Sequence, residues 1–114
     1  MSSDNTIPVG PVLTEDLVER LVAGTEYHLY QGTTLMSCTL KLCNGFAVVG
    51  TSSSLPTTHF NPQLGMKYSR EDAMNKLQEH LAVMVYDATA PAERRVSAVI
   101  QNAINALKEG KQHG

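Results

Sequence analysis

The sequence predicts an α+β domain, a small antiparallel β-meander with one helix before it and two after it. Three observations carry this. The stretch from Thr33 to Ser53, TTLMSCTLKLCNGFAVVGTSS, reads as two strands joined by Asn44-Gly45; that dipeptide suits a two-residue type I′ turn, where both positions need φ > 0. Residues 25–31, TEYHLYQ, alternate well enough to form a preceding strand that ends at a bend at Gly32. Apolar residues recur at helical spacing on both sides of these strands.

Residues 1–12 are small and polar, with Pro8, Gly10 and Pro11, and read as a flexible arm. Ile7, Val9 and Val12 alternate on it in a way that suits docking along a neighbour. A single domain is expected over residues 13–110, followed by a frayed tail at 111–114. Thr14 is placed to cap the first helix, with Glu15 and Asp16 in its positive first turn and Leu13 and Val18 at staple positions. Leu17, Val18, Leu21 and Val22 form its apolar stripe, and Gly24 is expected to end it.

With Asn44-Gly45 as a two-residue turn, Cys43 faces Phe46, Leu42 faces Ala47, Lys41 faces Val48, Leu40 faces Val49 and Thr39 faces Gly50. Side chains alternate along strands, so this register sorts them onto two faces. Met36, Cys38, Leu40, Leu42, Ala47, Val49 and Thr51 form an expected core face. Ser37, Thr39, Lys41, Cys43, Phe46, Val48 and Gly50 form the other, which is apolar near the turn. Something is therefore expected to cover Cys43, Phe46 and Val48: either a helix of the same chain or a second subunit.

Asn61-Pro62 opens the second helix, with Asn61 as cap and Pro62 in the first helical position. Ala73, Leu77, Leu81 and Met84, joined by Met66 and Met74, give it an apolar face as far as Tyr86. Gly65 in its first turn is a weakness unless backbone is needed close to something there. DATAP at 87–91 breaks the pattern. Thr89 can cap a last helix from about Ala90 to Glu109, with Val96, Val99, Ile100, Ala103, Ile104 and Leu107 as its stripe and Gly110 as its stop.

Bulk properties exclude several function classes. Nine basic and eleven acidic side chains give a net charge of −2, so no global positive field recruits nucleic acid polymers or anionic membrane. Apolar runs are too short to cross a bilayer, and the first residues lack the basic start and apolar segment of a secretory signal. Two cysteines at odd spacing fall on opposite strand faces, consistent with free thiols in a reducing cytoplasm. The four histidines show no zinc-ligand spacing. No phosphate-binding glycine loop, paired carboxylates at a strand end or nucleophile with an adjacent base is present, so a binding role is expected over an enzyme, with no cofactor and no metal.

One concentration of recognition chemistry remains. Thr57, Thr58, His59 and Phe60 precede a helix N-terminus, where free N–H groups and the dipole favour anions. Lys67, Tyr68, Arg70 and Asp72 follow within three turns. Phe60 or Tyr68 suits stacking on a nucleobase, Lys67 or Arg70 suits phosphate, and Asp72 suits donors of a ribose or base. The plainer alternative places Phe60 in the core and the charges on a solvated face. Arg94-Arg95 form a second basic pair near the start of the last helix.

The run from Gly32 to Lys76, GTTLMSCTLKLCNGFAVVGTSS and then NPQLGMKYSREDAMNK, resembles a family of small tailed-phage accessory proteins. Its members carry a GTTLT-C-L-L-NGF-V-TG-SA hairpin and a P-NFD--IG---A---A--K helix start. The resemblance rests on Gly32-Thr33-Thr34-Leu35, Cys38, Asn44-Gly45-Phe46, Gly50, Phe60-Asn61, Gly65, Ala73 and Lys76. The family is associated with Thoeris anti-defence proteins, phage-encoded sponges that sequester cyclic ADP-ribose isomers, some of which also hold cyclic oligonucleotides. Those proteins are homo-oligomers with pockets at subunit interfaces.

The resemblance thus implies a nucleotide-binding phage protein in the host bacterial cytoplasm. It would hold a small-molecule signal through Phe60, Lys67, Tyr68, Arg70, Asp72, Arg94 and Arg95 and assemble through Cys43, Phe46 and Val48. The competing expectation is a phage accessory protein that inhibits a host protein through its helices. The chain departs from the family at His59-Phe60-Asn61, where Asn-Phe-Asp is usual. It departs again at Asp72, where an Asn is common and a carboxylate repels phosphate. Its helical extension replaces an aromatic-rich ending.

Overall fold

A computed structural model describes residues 12–54 and 61–113, with side chains to residue 110. The expected flexible arm, apart from Val12, lies outside the described residues, as do Phe60 and the other residues of the 55–60 segment. Helix α1 (Glu15–Leu21) leads directly into β1 (Val22–Leu29), followed by β2 (Met36–Leu42), β3 (Ala47–Ser52), α2 (Pro62–Thr89), a 3-10 turn (Ala92–Arg94) and α3 (Val96–His113). The strands form one antiparallel sheet in the order β1-β2-β3. This is the α+β arrangement expected.

Two of the three expected N-caps are present. The Thr14 hydroxyl accepts from the Leu17 N–H at 3.2 Å, and the Asn61 side chain accepts from the Gln63 N–H at 2.9 Å, with Pro62 opening α2. The expected ends of two helices are displaced. Gly24 does not end α1: Val22 is already extended, and Gly24 lies in β1 beside an irregularity in its pairing with β2. The hairpin loop instead supplies the stop, because Cys43 donates its N–H to the Leu21 carbonyl at 3.0 Å. Nor does Gly110 end α3, which continues to His113. Its start also shifts from Ala90 to Val96, because Asp87 rather than Thr89 caps it. Both carboxylate oxygens of Asp87 accept, one from the Val96 N–H and one from the Ser97 N–H, and the Ser97 hydroxyl, ahead of these two N–H groups, holds its pKa below the usual value.

The hairpin register differs from expectation by one residue. Lys41 pairs with Ala47, Leu40 with Val48, Thr39 with Val49 and Cys38 with Gly50. The connection is a three-residue loop: Leu42 donates to Phe46 O at 2.7 Å and Gly45 donates to Leu42 O at 3.0 Å. Gly45 alone takes a positive φ there, 95°, while Asn44 keeps a negative one and its side chain accepts from the Phe46 N–H at 3.0 Å. An Asn-Gly pair serves this turn as readily as a type I′ turn.

A one-residue slip exchanges the faces of β3. Val48 and Gly50 point into the core, and Ala47, Val49 and Thr51 point out. With that exchange the outer face carries Glu26, His28, Ser37, Thr39, Lys41, Val49 and Thr51, a polar sheet face that is largely solvated except at Ser37, which is buried. The mixed second face disappears, and the cover expected at the turn end comes from a helix of the same chain: Val48 packs in the core with Ala73 and Leu77 of α2 and the Phe46 ring meets His80 of α2, while Cys43 stays exposed.

The core comprises Val18, Cys38, Leu40, Val48, Ala73, Leu77 and Leu81, flanked by Leu13, Leu21, Val22, Leu42 and Met74. Helix α2 lies on β2 and β3, and its approach is set by small residues. A Cβ on Gly50 would stand 2.1 Å from Ala73 N and 2.3 Å from Ser69 O. Gly65 is likewise buried, with Met36 3.5 Å from where its Cβ would be, and its carbonyl accepts from Ser52 Oγ at 2.9 Å. The 3.5 Å approach is an ordinary van der Waals distance to a flexible side chain, so space alone does not require glycine at 65 as it does at 50.

The two sheet edges are treated differently. At the β3 edge, Thr51 N–H donates to Asp72 Oδ2 at 2.9 Å and Lys76 Nζ donates to Val49 O at 3.2 Å. Asp72 and Lys76 also pair at 3.1 Å one helical turn apart. A side-chain clasp from α2 thus occupies the groups that another strand would use. No such clasp covers β1 among the described residues.

Candidate functional site

Helix α2 presents two polar faces because residues three and four apart share a side while residues two apart do not. Lys67, Arg70, Glu71, Asn75 and Gln78 share one face. It borders a groove of about 350 Å³ against α1, whose wall supplies Glu15 and Glu19, with Met74 as the apolar lining. Asp72 points the other way, to the β3 edge. The structure therefore brings Lys67 and Arg70 together and separates Asp72 from them.

Arg70 is the centre of the groove. Its Nη2 donates to both carboxylate oxygens of Glu19 at 2.8 Å. That contact raises the guanidinium pKa against the opposing effect of partial burial. The partners are 51 positions apart, so the pair also ties α1 to α2. Tyr27 of β1 stands beside Arg70 and Cys38; burial raises its phenol pKa and that of the Cys38 thiol. Lys67 makes no ion pair among the described residues; its ammonium sits 5.7 Å from the Tyr68 ring centroid, and Tyr68 is half exposed.

The groove holds three carboxylates and two cations, so it is not a simple anion trap. An incoming phosphate must compete with Glu19 for Arg70, and it gains Lys67 as a second contact. The amides of Asn75 and Gln78 offer both donors and acceptors, and Glu15 and Glu71 offer acceptors suited to hydroxyl or amino groups. The expected roles of the other residues change. Asp72 is a structural clasp, its pKa lowered first by the Thr51 N–H and then by Lys76. Arg95 donates from Nε to Ala90 O at 2.9 Å. Arg94 and Arg95 follow the far end of α2, which at 1.5 Å per residue lies about 28 Å along the axis from Arg70. Phe60 lies outside the described residues.

Of the expected assembly residues, Cys43 is exposed and unbonded. Phe46 is half exposed, with its ring edge-on to His80 at 5.8 Å. Val48 is 5% exposed and belongs to the core, so it forms no part of an outer face. The reason is the register slip. Glu15, expected only as a first-turn acid of α1, joins the site with Glu19, Tyr27 and Glu71, none of which the sequence marks as a site residue. The spacing 67-70-71-74-75-78 marks one helix face and points to Glu71, but nothing local points to Glu19.

Among the described residues no three His, Cys, Asp or Glu side chains are grouped to hold a metal ion. No described helix is long and apolar enough to cross a membrane. The model of the phage protein (N4 Gp49/phage Sf6 gene 66) family matches residues 13–83, which span α1, the sheet and most of α2 and stop before α3. No curated protein and no solved structure matches the chain.

Proposed function

From the chain's membership of the phage protein (N4 Gp49/phage Sf6 gene 66) family, we propose that it binds and sequesters a cyclic nucleotide immune signal in the host bacterial cytoplasm and releases it unaltered. The ligand class is a cyclic ADP-ribose isomer or a cyclic oligonucleotide, as in Thoeris anti-defence. The observation that carries this reading is the groove in which Lys67 and Arg70 project side by side among acceptors and amides. A phosphate entering there exchanges one anion for another on Arg70, so the guanidinium is never left unpaired, while ribose and base donors meet Glu15 or Glu71. Binding of this kind requires no nucleophile and no general base.

Thermal unfolding in the presence of cyclic ADP-ribose isomers and cyclic oligonucleotides tests the proposal. A raised melting temperature is expected for at least one ligand, which heat then releases chemically intact. Paired Lys67→Ala and Arg70→Ala substitutions should abolish the shift. If none of these ligands moves the transition at micromolar protein, the reading fails; if the ligand returns altered, the protein is an enzyme. A second reading, a phage protein that inhibits a host protein through its helices, is favoured by the exposed apolar stripe of α3. It predicts capture of a host protein that survives loss of Lys67 and Arg70.

A further inference from the structure

Helix α3 contributes no residue to the core, yet one side of it is apolar. Val96, Val99, Ile100, Ala103, Ile104 and Leu107 recur at helical spacing, and the large ones are exposed, from 39% at Ile104 to 69% at Leu107. The charges of α3 are sorted with respect to this stripe. Lys108 follows Ile104 by one turn and Lys111 follows Leu107 by one turn, so helical spacing puts both lysines at the C-terminal end of the stripe. Glu109, the one acid of α3, stands two residues after Leu107 and so on the opposite side, where Gln101, Asn102 and Asn105 are uncharged. At the other end Arg94 and Arg95 precede the helix, and Arg95 borders a cleft of about 450 Å³ walled by Val83, Met84, Val96 and Ile100. Asp87 also lines that cleft, but both its oxygens are taken up by N–H groups at the start of α3.

We infer that α3 lies along an anionic phospholipid surface, with its stripe at the acyl boundary and its basic side chains among the headgroups. The placement of charge selects that occupant. A lysine on an apolar stripe that enters a dry protein interface must find a carboxylate there or stay unpaired at a cost. At a lipid surface its stem lies along the apolar layer while the ammonium reaches a phosphate, and the acid turned to the far side stays in water. Residues 92–113 carry four basic and two acidic side chains, a local excess within a chain of net charge −2. That net charge supplies no long-range attraction, so association rests on this local excess and on apolar burial together. The helix is not long and apolar enough to cross a bilayer, so it rests on the surface. The exposed Val83 and Met84 at the end of α2 add apolar contact beside Val96 and Ile100.

This contact is independent of the proposed ligand. Arg70 and Met84 are separated by about 21 Å along α2 at 1.5 Å per residue, so the groove lies away from it. Vesicle flotation with the full chain provides the test. The chain should float with vesicles of equal parts phosphatidylglycerol and phosphatidylcholine at low salt, and much less with phosphatidylcholine alone or at high salt. Lys108→Gln with Lys111→Gln should weaken partitioning about 30-fold, from a factor of about five for each lysine near the surface. Lys67→Ala with Arg70→Ala should float as wild type does. The chain has no tryptophan, so Leu107→Trp and Asn105→Trp each introduce a single fluorophore, one on the stripe and one opposite it. Anionic vesicles should shift the emission of the first to the blue and leave the second unchanged. Absence of flotation with anionic vesicles overturns the inference, whether or not a host protein is captured through the stripe. So do equal emission shifts at the two positions, flotation unaffected by loss of both lysines, or flotation lost with Lys67 and Arg70.

Discussion

The two ends of α2 are built from the same kind of helix and do opposite things. Its first five turns lie on the sheet and bury Gly65, Ser69, Ala73, Leu77 and Leu81. Its last turns run past the sheet and expose Val83, Met84 and Tyr86. Small residues let backbone approach backbone in the first part, and close packing follows. In the second part large apolar residues have nothing packed over them among the described residues and leave an exposed apolar surface. The family match ends at residue 83, close to where the helix leaves the sheet. One helix therefore carries a scaffold half and an exposed half.

The largest expected effect tests the scaffold half. Gly50→Ala places a methyl group 2.1 Å from Ala73 N and 2.3 Å from Ser69 O, and both obstacles are backbone that no rotamer change can move. Helix α2 must lift from β3, at a cost of about 3 kcal/mol or more, at or beyond the upper end of ordinary overpacking. Chemical denaturation should show this loss. A stability within about 0.5 kcal/mol of wild type, as for a neutral surface change, would mean that α2 does not sit against β3 as described.

A matched pair of substitutions sharpens the comparison. Leu77→Ala removes a fully buried side chain and should cost 2–5 kcal/mol, about the usual range for such a cavity. Leu107→Ala makes the same chemical change at a side chain 69% exposed within the chain. It should change unfolding by no more than about 0.5 kcal/mol. If the two cost the same, α3 packs on its own chain and the division fails.

How much of this was legible in the sequence follows the range of the forces involved. The caps at Thr14 and Asn61, the order of the strands, and the buried face Ala73-Leu77-Leu81 depend on neighbours within one or two turns, and could be read. The hairpin register could not. Asn44-Gly45 is compatible with a two-residue and a three-residue connection, and the choice rests on α2, which needs Gly50 inward beneath Ser69 and Ala73. The residues that carry the family resemblance largely hold the scaffold. Thr33 Oγ1 donates to Tyr30 O at 2.6 Å, Thr34 Oγ1 donates to Ser54 O at 2.6 Å, and Gly45, Gly50, Gly65 and Lys76 have the structural roles already described. The candidate site was half legible for the same reason. Lys67 and Arg70 share a helix face by spacing, whereas Glu19 reaches Arg70 across 51 positions and the outward turn of Asp72 depends on where β3 ends up.

The smallest expected effect concerns Asp72 and bears on what its carboxylate is for. Its folded pKa lies below the ordinary 3.8, so the charged form is favoured by folding. The stability it contributes is therefore fully present above about pH 4 and is lost as pH falls through the folded value. The side chain is 38% exposed, so solvent screening keeps the contribution below about 1 kcal/mol. Asp72→Asn retains an oxygen that can accept from the Thr51 N–H but loses the charge that draws Lys76 to the β3 edge. Its deficit relative to wild type should be visible near neutral pH and should close on acidification, because the wild-type carboxyl then becomes neutral too. Unfolding curves collected from pH 7 down to pH 2 for both chains provide the comparison. A deficit that persists unchanged at the acid end would assign the role to shape rather than charge. If instead Asp72 served the groove, Asp72→Asn would leave stability unaltered at every pH and change only ligand affinity, and the β3 clasp would have no energetic meaning.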